Sequence, residues 1–130
     1  MQLETNPTIT QKSQQEVFNF LNNVENFKKL MPENIQKFEK LSDVRFLFQL
    51  KGMPEIVLEK KESHHPDTVI LGAASDKLPF TLTAHIKEES ATTSSTKLDF
   101  EGQFNAMMGM MIKSPIQNFI NVLSENIGKL

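Results

Sequence analysis

The change of hydrophobic period along the chain constrains its fold more than any other feature. The period is helical near the start, two through the middle, and helical again at the end. Gln2 to Ile9 reads as a first strand, with Leu3 and Ile9 on one parity and Pro7 marking an edge or irregular end. Ser13-Gln14-Gln15-Glu16 matches a capping box: the Ser13 hydroxyl accepts from the Glu16 amide while the Glu16 carboxylate reaches back. Val17, Phe20, Leu21 and Val24 then fall at i, i+3, i+4 and i+7, one helical face. Asn26 is placed to cap a short second helix, Phe27 to Met31, which Pro32 stops.

Strands dominate from Ile35 to Asn105. The parity that reads inward carries Val44, Phe46, Phe48, Leu50, Ile56, Leu58, Leu78, Phe80, Leu82, Ala84, Ile86, Leu98, Phe100 and Phe104. Gly52-Met53-Pro54, His64-His65-Pro66-Asp67 and Ser90 to Ser95 separate the strands as turns, and Gly102 marks a bend on the apolar parity. One apolar and one polar face per strand predicts an antiparallel sheet of six to seven strands, wet on one side. The final segment, from about Ala106 to Ile127, returns to a helical period. Met107, Met110 and Met111 lead it, and Ile116, Phe119, Ile120, Leu123 and Ile127 continue one apolar face. Ser114-Pro115-Ile116-Gln117 is a second capping-box match, which predicts a kink or brief break there.

The composition narrows the function. With 130 residues the chain is expected to form one domain, 1–130, with its own core. A net charge of -2 removes the electrostatic case for a nucleic-acid partner, and Lys28-Lys29 and Lys60-Lys61, each with acidic neighbours, read as solvated surface. The absence of cysteine excludes disulfides, thiolate nucleophiles and Cys-based zinc sites. Met1 to Thr5 lack the basic and apolar regions of a signal peptide. Ala106 to Ile112, the longest apolar run, is far too short to span a bilayer as an integral membrane segment. A cytoplasmic location is the expectation. Ten Phe with no Tyr and no Trp, and seven Met, point to an adaptable interior with few hydrogen-bonding groups.

The stretch Val17-Phe18-Asn19-Phe20-Leu21-Asn22-Asn23-Val24-Glu25-Asn26-Phe27-Lys28-Lys29-Leu30-Met31-Pro32 resembles the first helix and the following turn of START-like proteins. This is the SRPBCC superfamily of polyketide cyclase/lipid-transport and birch-pollen-allergen-like proteins. The Met-rich, Pro-interrupted terminal helix is a second point of likeness, and the resemblance covers essentially the whole chain. It implies an α+β helix-grip fold: a curved antiparallel sheet wrapped around a long C-terminal helix, with two short helices after the first strand. It also implies a hydrophobic cavity between sheet and helix, with the methionines near its mouth.

The expected site is therefore a cavity lining, and the expected partner is a hydrophobic small-molecule ligand, lipid-like or polycyclic. The candidate lining is Phe46, Phe48, Leu58, Phe80, Leu82, Phe100, Phe104, Met107, Met110, Met111 and Phe119. Plain core filling is the competing reading for the methionines, Met108 included. Gly109 among them costs helix stability, repaid by either close backbone approach or mobility. No cofactor, metal or catalytic residue is expected. The inward parity holds no acid–base group, the adjacent His64 and His65 read as a solvated turn, and His85 lies on the polar parity. Two rival functions remain: a protein-interaction, co-chaperone-like domain, expected to expose an apolar patch, and a cyclase- or dehydratase-like enzyme, which would need Thr5, Arg45 or His85 turned inward.

Overall fold

In the computed structural model, residues 1–74 and 79–130 are described; Leu78, expected on the inward parity, lies outside them. The elements follow in chain order. β1 is Gln2–Glu4, β2 Thr8–Thr10 and α1 Gln14–Leu21. A 3-10 helix, Val24–Leu30, leads to β3 Ile35–Lys40, β4 Arg45–Leu50, β5 Ile56–His64 and β6 Thr68–Ala73. β7 Phe80–Glu88, β8 Ser94–Gly102 and α2 Ala106–Gly128 complete the chain. The strands form one antiparallel sheet in the order β1-β8-β7-β6-β5-β4-β3, with β2 also paired to β8. Register shifts interrupt the ladders between Ile35 and Lys37 and between Lys60 and Glu62, the kind of irregularity that bends a strand locally.

Strand alternation sets the core. Phe46, Phe48, Leu50, Ile56, Leu58, Leu82, Ala84, Ile86, Leu98 and Phe100 are buried, while Arg45, Lys87 and Glu101 on the other parity stay exposed. Val69 and Leu71 of β6 and Leu3 of β1 join the same inner face. Each fully buried large side chain adds roughly 1.5–3 kcal/mol of transfer free energy. The Ser13 capping box forms with both of its hydrogen bonds.

Several expectations are corrected. The first strand divides in two: Thr5 still donates its amide to the Leu98 carbonyl of β8 at 3.0 Å, and the break falls at Asn6 and Pro7; Leu3 is buried but Ile9 is exposed. Helix α1 stops at Leu21, so its inner face is Val17, Phe18 and Leu21, and Phe20 is only half-buried. The second helix is of 3-10 type, begins at Val24 and is capped by Asn23; the Asn26 amide instead donates to the Phe20 carbonyl at 3.1 Å. Val44 precedes its strand and is 38% exposed. Lys60 is half-buried rather than solvated and donates to the carbonyl of Asn22, the α1 C-cap, at 3.3 Å, where the helix dipole favours a cation. His64 belongs to the end of β5, and β8 begins already at Ser94, so the expected loop of Ser90 to Ser95 holds for 90–93 while Ser94 and Ser95 are buried in the strand.

Helix α2 runs unbroken through Ser114-Pro115, with Asn105 as its cap, accepting from the Met108 amide at 2.8 Å. Pro115 costs the helix only the amide that would bond the Met111 carbonyl, and the buried Ile112 and Ile116 on either side hold the segment in place. The C-terminal half of α2 is pinned by polar contacts. The Thr8 and Ser124 hydroxyls bond each other, Thr10 Oγ1 donates to the Ile127 carbonyl at 3.0 Å, and Asn126 Nδ2 donates to the Leu30 carbonyl at 2.8 Å. Among the described residues, no helix is long and apolar enough to cross a membrane.

Candidate functional site: an apolar cavity at one end of the helix grip

The space between sheet and helix has a solid half and an open half. In the solid half, aromatic rings stack in sequence. Phe46 meets Phe27 at 5.4 Å, Phe38 at 5.2 Å and Phe48 at 6.0 Å, and Phe48 stacks on Phe119 of α2 at 4.9 Å. Further along, among Leu21, Val69, Leu71, Leu82 and Leu123, the remaining void is about 10 Å³, no more than a single water needs.

The open half is a cavity of about 230 Å³ under the first turns of α2. This is just below the roughly 300–1,000 Å³ usual for small-molecule sites. Three structures build its wall. The β4–β5 turn contributes Gly52, Met53 and Pro54, with Ile56 beside it. That turn requires glycine, because Gly52 has φ +81° and the Met53 amide closes onto the Leu50 carbonyl at 3.0 Å. The sheet contributes Phe80 and Phe100, 5.1 Å apart, and Phe104 lies nearly parallel to Phe100 at 6.3 Å. Phe104 folds back over Gly102, where a Cβ would stand 2.3 Å from its ring. Helix α2 contributes Met108, Met111, Ile112, Pro115 and Ile116.

The candidate residues therefore separate. Phe80, Phe100, Phe104 and Met111 line the cavity. Phe46, Phe48, Leu58, Leu82 and Phe119 are buried in the packed core away from it. Met107 and Met110 point to solvent, 75% and 83% exposed, because the helix continues in one phase and turns the opposite face inward. Met108, Ile112 and Ile116 occupy that inner face. The signal for them was present: stepping back by four from the buried Ile120 and Ile116 gives Ile112 and then Met108.

Every described lining side chain is apolar, so no side chain of the described wall offers a proton donor or a base. Thr5 is buried, but its hydroxyl accepts from the Leu98 amide at 3.0 Å within the sheet. Arg45 is on the outer face with Glu59, at 3.5 Å, and His85 Nε2 pairs with Asp99 Oδ2 on the outer face at 2.9 Å. The clear titration shifts also belong to the outer surface. A hydrogen bond from Lys61, with Arg45 nearby, holds the Glu59 carboxyl below its ordinary range; the hydrogen bonds that Lys37 and Lys97 donate to Glu55 and Glu4 raise the two lysines. Among the described residues, no group of three or more His, Asp or Glu is placed to hold a metal ion.

No family model matches the sequence, and no curated protein sequence matches it. Solved structures do match the fold. Norcoclaurine synthase from Thalictrum flavum, in complex with dopamine and hydroxybenzaldehyde, superposes with a TM-score of 0.76 at 11% identity, over 99% of this chain and 86% of that one. The protein XoxI from Bacillus cereus gives 0.75 at 9% identity, over 98% and 93%. A START superfamily protein from Mycobacterium smegmatis gives 0.69 at 8% identity, over 98% and 97%. The chain has the START-like helix-grip fold.

Proposed function

We propose that the chain, as one START-like domain of residues 1–130, is a non-catalytic binding module for a neutral hydrophobic small molecule, lipid-like or polycyclic. The observation that carries this reading is the cavity of about 230 Å³ whose described lining side chains are all apolar. Lining side chains without hydrogen-bonding groups favour ligands that need few such bonds, since a polar group buried against them would go unpaired. The three phenyl rings and three thioethers suit flat or flexible hydrocarbon. The likeness to norcoclaurine synthase, which holds dopamine and hydroxybenzaldehyde, supports small-molecule binding within this fold and keeps catalysis as the rival. Acid–base chemistry needs a positioned titratable group at the reacting atom, and the described wall supplies none.

Native mass spectrometry of the purified protein, followed by extraction and identification of bound species, tests the proposal. A co-purifying apolar compound is expected, as is displacement of the neutral probe N-phenylnaphthylamine by it. Met108→Trp, which fills the cavity, should abolish probe binding while the protein stays folded. A bare mass, together with no rise in Tm across a panel of lipids and polycyclic compounds, would overturn the proposal.

A further inference from the structure

The rim of the cavity carries exposed methionines. Met107, Met110 and Met111 are 75%, 83% and 67% exposed, and they lie together on the outer face of the first turns of α2. Met111 also lines the cavity, so the exposed stripe and the cavity wall are continuous. Met53 and Pro54 lie on the opposite wall, in the β4–β5 turn. Large apolar side chains exposed side by side usually mark an interaction surface.

On the helix side of the described rim the charge is positive, and across it the exposed Glu55, beside Pro54, is paired with Lys37 at 3.0 Å. From Gly102 to Ser124 the chain has no acidic residue, and its charged residue there is Lys113. Lys51 stands beside the Gly52 turn, close to Pro115 of α2. Both lysines are exposed, and neither pairs with an acidic side chain among the described residues. The whole molecule carries a net charge of -2, and with Glu55 neutralised by Lys37 the described rim is left with the positive charge of Lys51 and Lys113.

We infer that this rim docks on an anionic lipid surface, with Met107, Met110 and Met111 entering the acyl boundary and Lys51 and Lys113 at the headgroups. Two arguments select a lipid surface over a second copy of the chain. A stable protein interface needs roughly 20–30 residues and about 800 Å² from each partner, far more than a one-face stripe over two helical turns presents. Two copies would also bring like-charged lysines together. A fluid interface requires no shape match, and an apolar helix face flanked by lysine suits shallow insertion with electrostatic attraction. That docking opens the cavity to the membrane rests on the binding reading above; the docking itself does not.

Co-sedimentation with vesicles of phosphatidylcholine and phosphatidylglycerol, set against phosphatidylcholine alone, tests the inference. Binding to the mixed vesicles is expected. Met107→Gln with Met110→Gln should weaken it by about tenfold or more, and Lys51→Gln with Lys113→Gln should remove the preference for the anionic lipid. Neither methionine lines the cavity, so N-phenylnaphthylamine binding without vesicles should persist in that pair; this readout separates a failure of docking from a failure of the binding reading. Wild-type protein left in the supernatant would overturn the inference. So would a methionine pair that sediments like wild type, or a dimer in sedimentation velocity that the same pair dissociates.

Discussion

Gly109 and Gly102 stand seven residues apart and meet opposite surroundings. A Cβ added at Gly109 would meet nothing within 4 Å, so close backbone approach is not what keeps glycine in this helix. Its replacement removes only the entropy that glycine loses on folding. Gly109→Ala should therefore stabilise the protein by about 0.5–1 kcal/mol in urea denaturation. A loss of stability would mean that the helix is not the conformation held at this point. A Cβ at Gly102 would lie 2.3 Å from Phe104 Cε2 and 3.1 Å from Phe80 Cβ. Gly102→Ala should cost about 1–3 kcal/mol as the Phe104 ring is pushed off the sheet. Adding Phe104→Leu should return part of that loss, because the two residues share one space. If Gly102→Ala were neutral, the ring would not be seated where the cavity wall requires it.

Helix α2 is one element with two regimes. Beyond Pro115 it buries Phe119, Ile120, Leu123 and Ile127 and is held by Thr8, Thr10 and Asn126; before Pro115 it has the Asn105 cap, an exposed methionine face and Gly109. Pro115 gives no amide to the Met111 carbonyl, so the two halves are weakly coupled. Hydrogen exchange should show low protection for amides 108–113 and protection close to the global value for amides 119–127. Equal protection in both halves would mean that Pro115 does not uncouple them. The existence of this helix and its C-terminal face were legible in the sequence, since Ile116, Phe119, Ile120 and Leu123 admit one phase. The methionine face was not. Ser114-Pro115 suggested a break that would reset the phase, and with Met on both faces the residues 107–111 satisfy either orientation. The strands were easier, because period two leaves no choice of face once polar residues alternate; Val44 failed only because the strand starts one residue later.

At the scale of the whole molecule, the helix grip is closed by stacked phenyl rings at one end and open at the other. The fold was legible because the order of periods allows few ways to cover one apolar sheet face. Which phenylalanines fill and which enclose was not, because Phe46, Phe48, Phe80 and Phe100 share one parity and differ only in what stands opposite. Phe48 faces Phe119 of α2, whereas Phe80 and Phe100 face the Met108 and Ile112 turns across a gap. This division predicts a split in mutational effects. Phe119→Ala leaves a void among rigid rings and should cost about 3–5 kcal/mol, with little change in probe affinity if the protein is kept well below its unfolding midpoint. Phe104→Ala removes a half-buried ring beside space that already exists, so it should cost less than about 2 kcal/mol. It also widens the cavity, and the preference among neutral polycyclic compounds should move to larger ones. Denaturation midpoints and probe titrations on the two variants read both quantities. The reverse pattern, with Phe119→Ala changing ligand preference and Phe104→Ala the larger loss of stability, would place the binding space in the half of the grip that is packed solid.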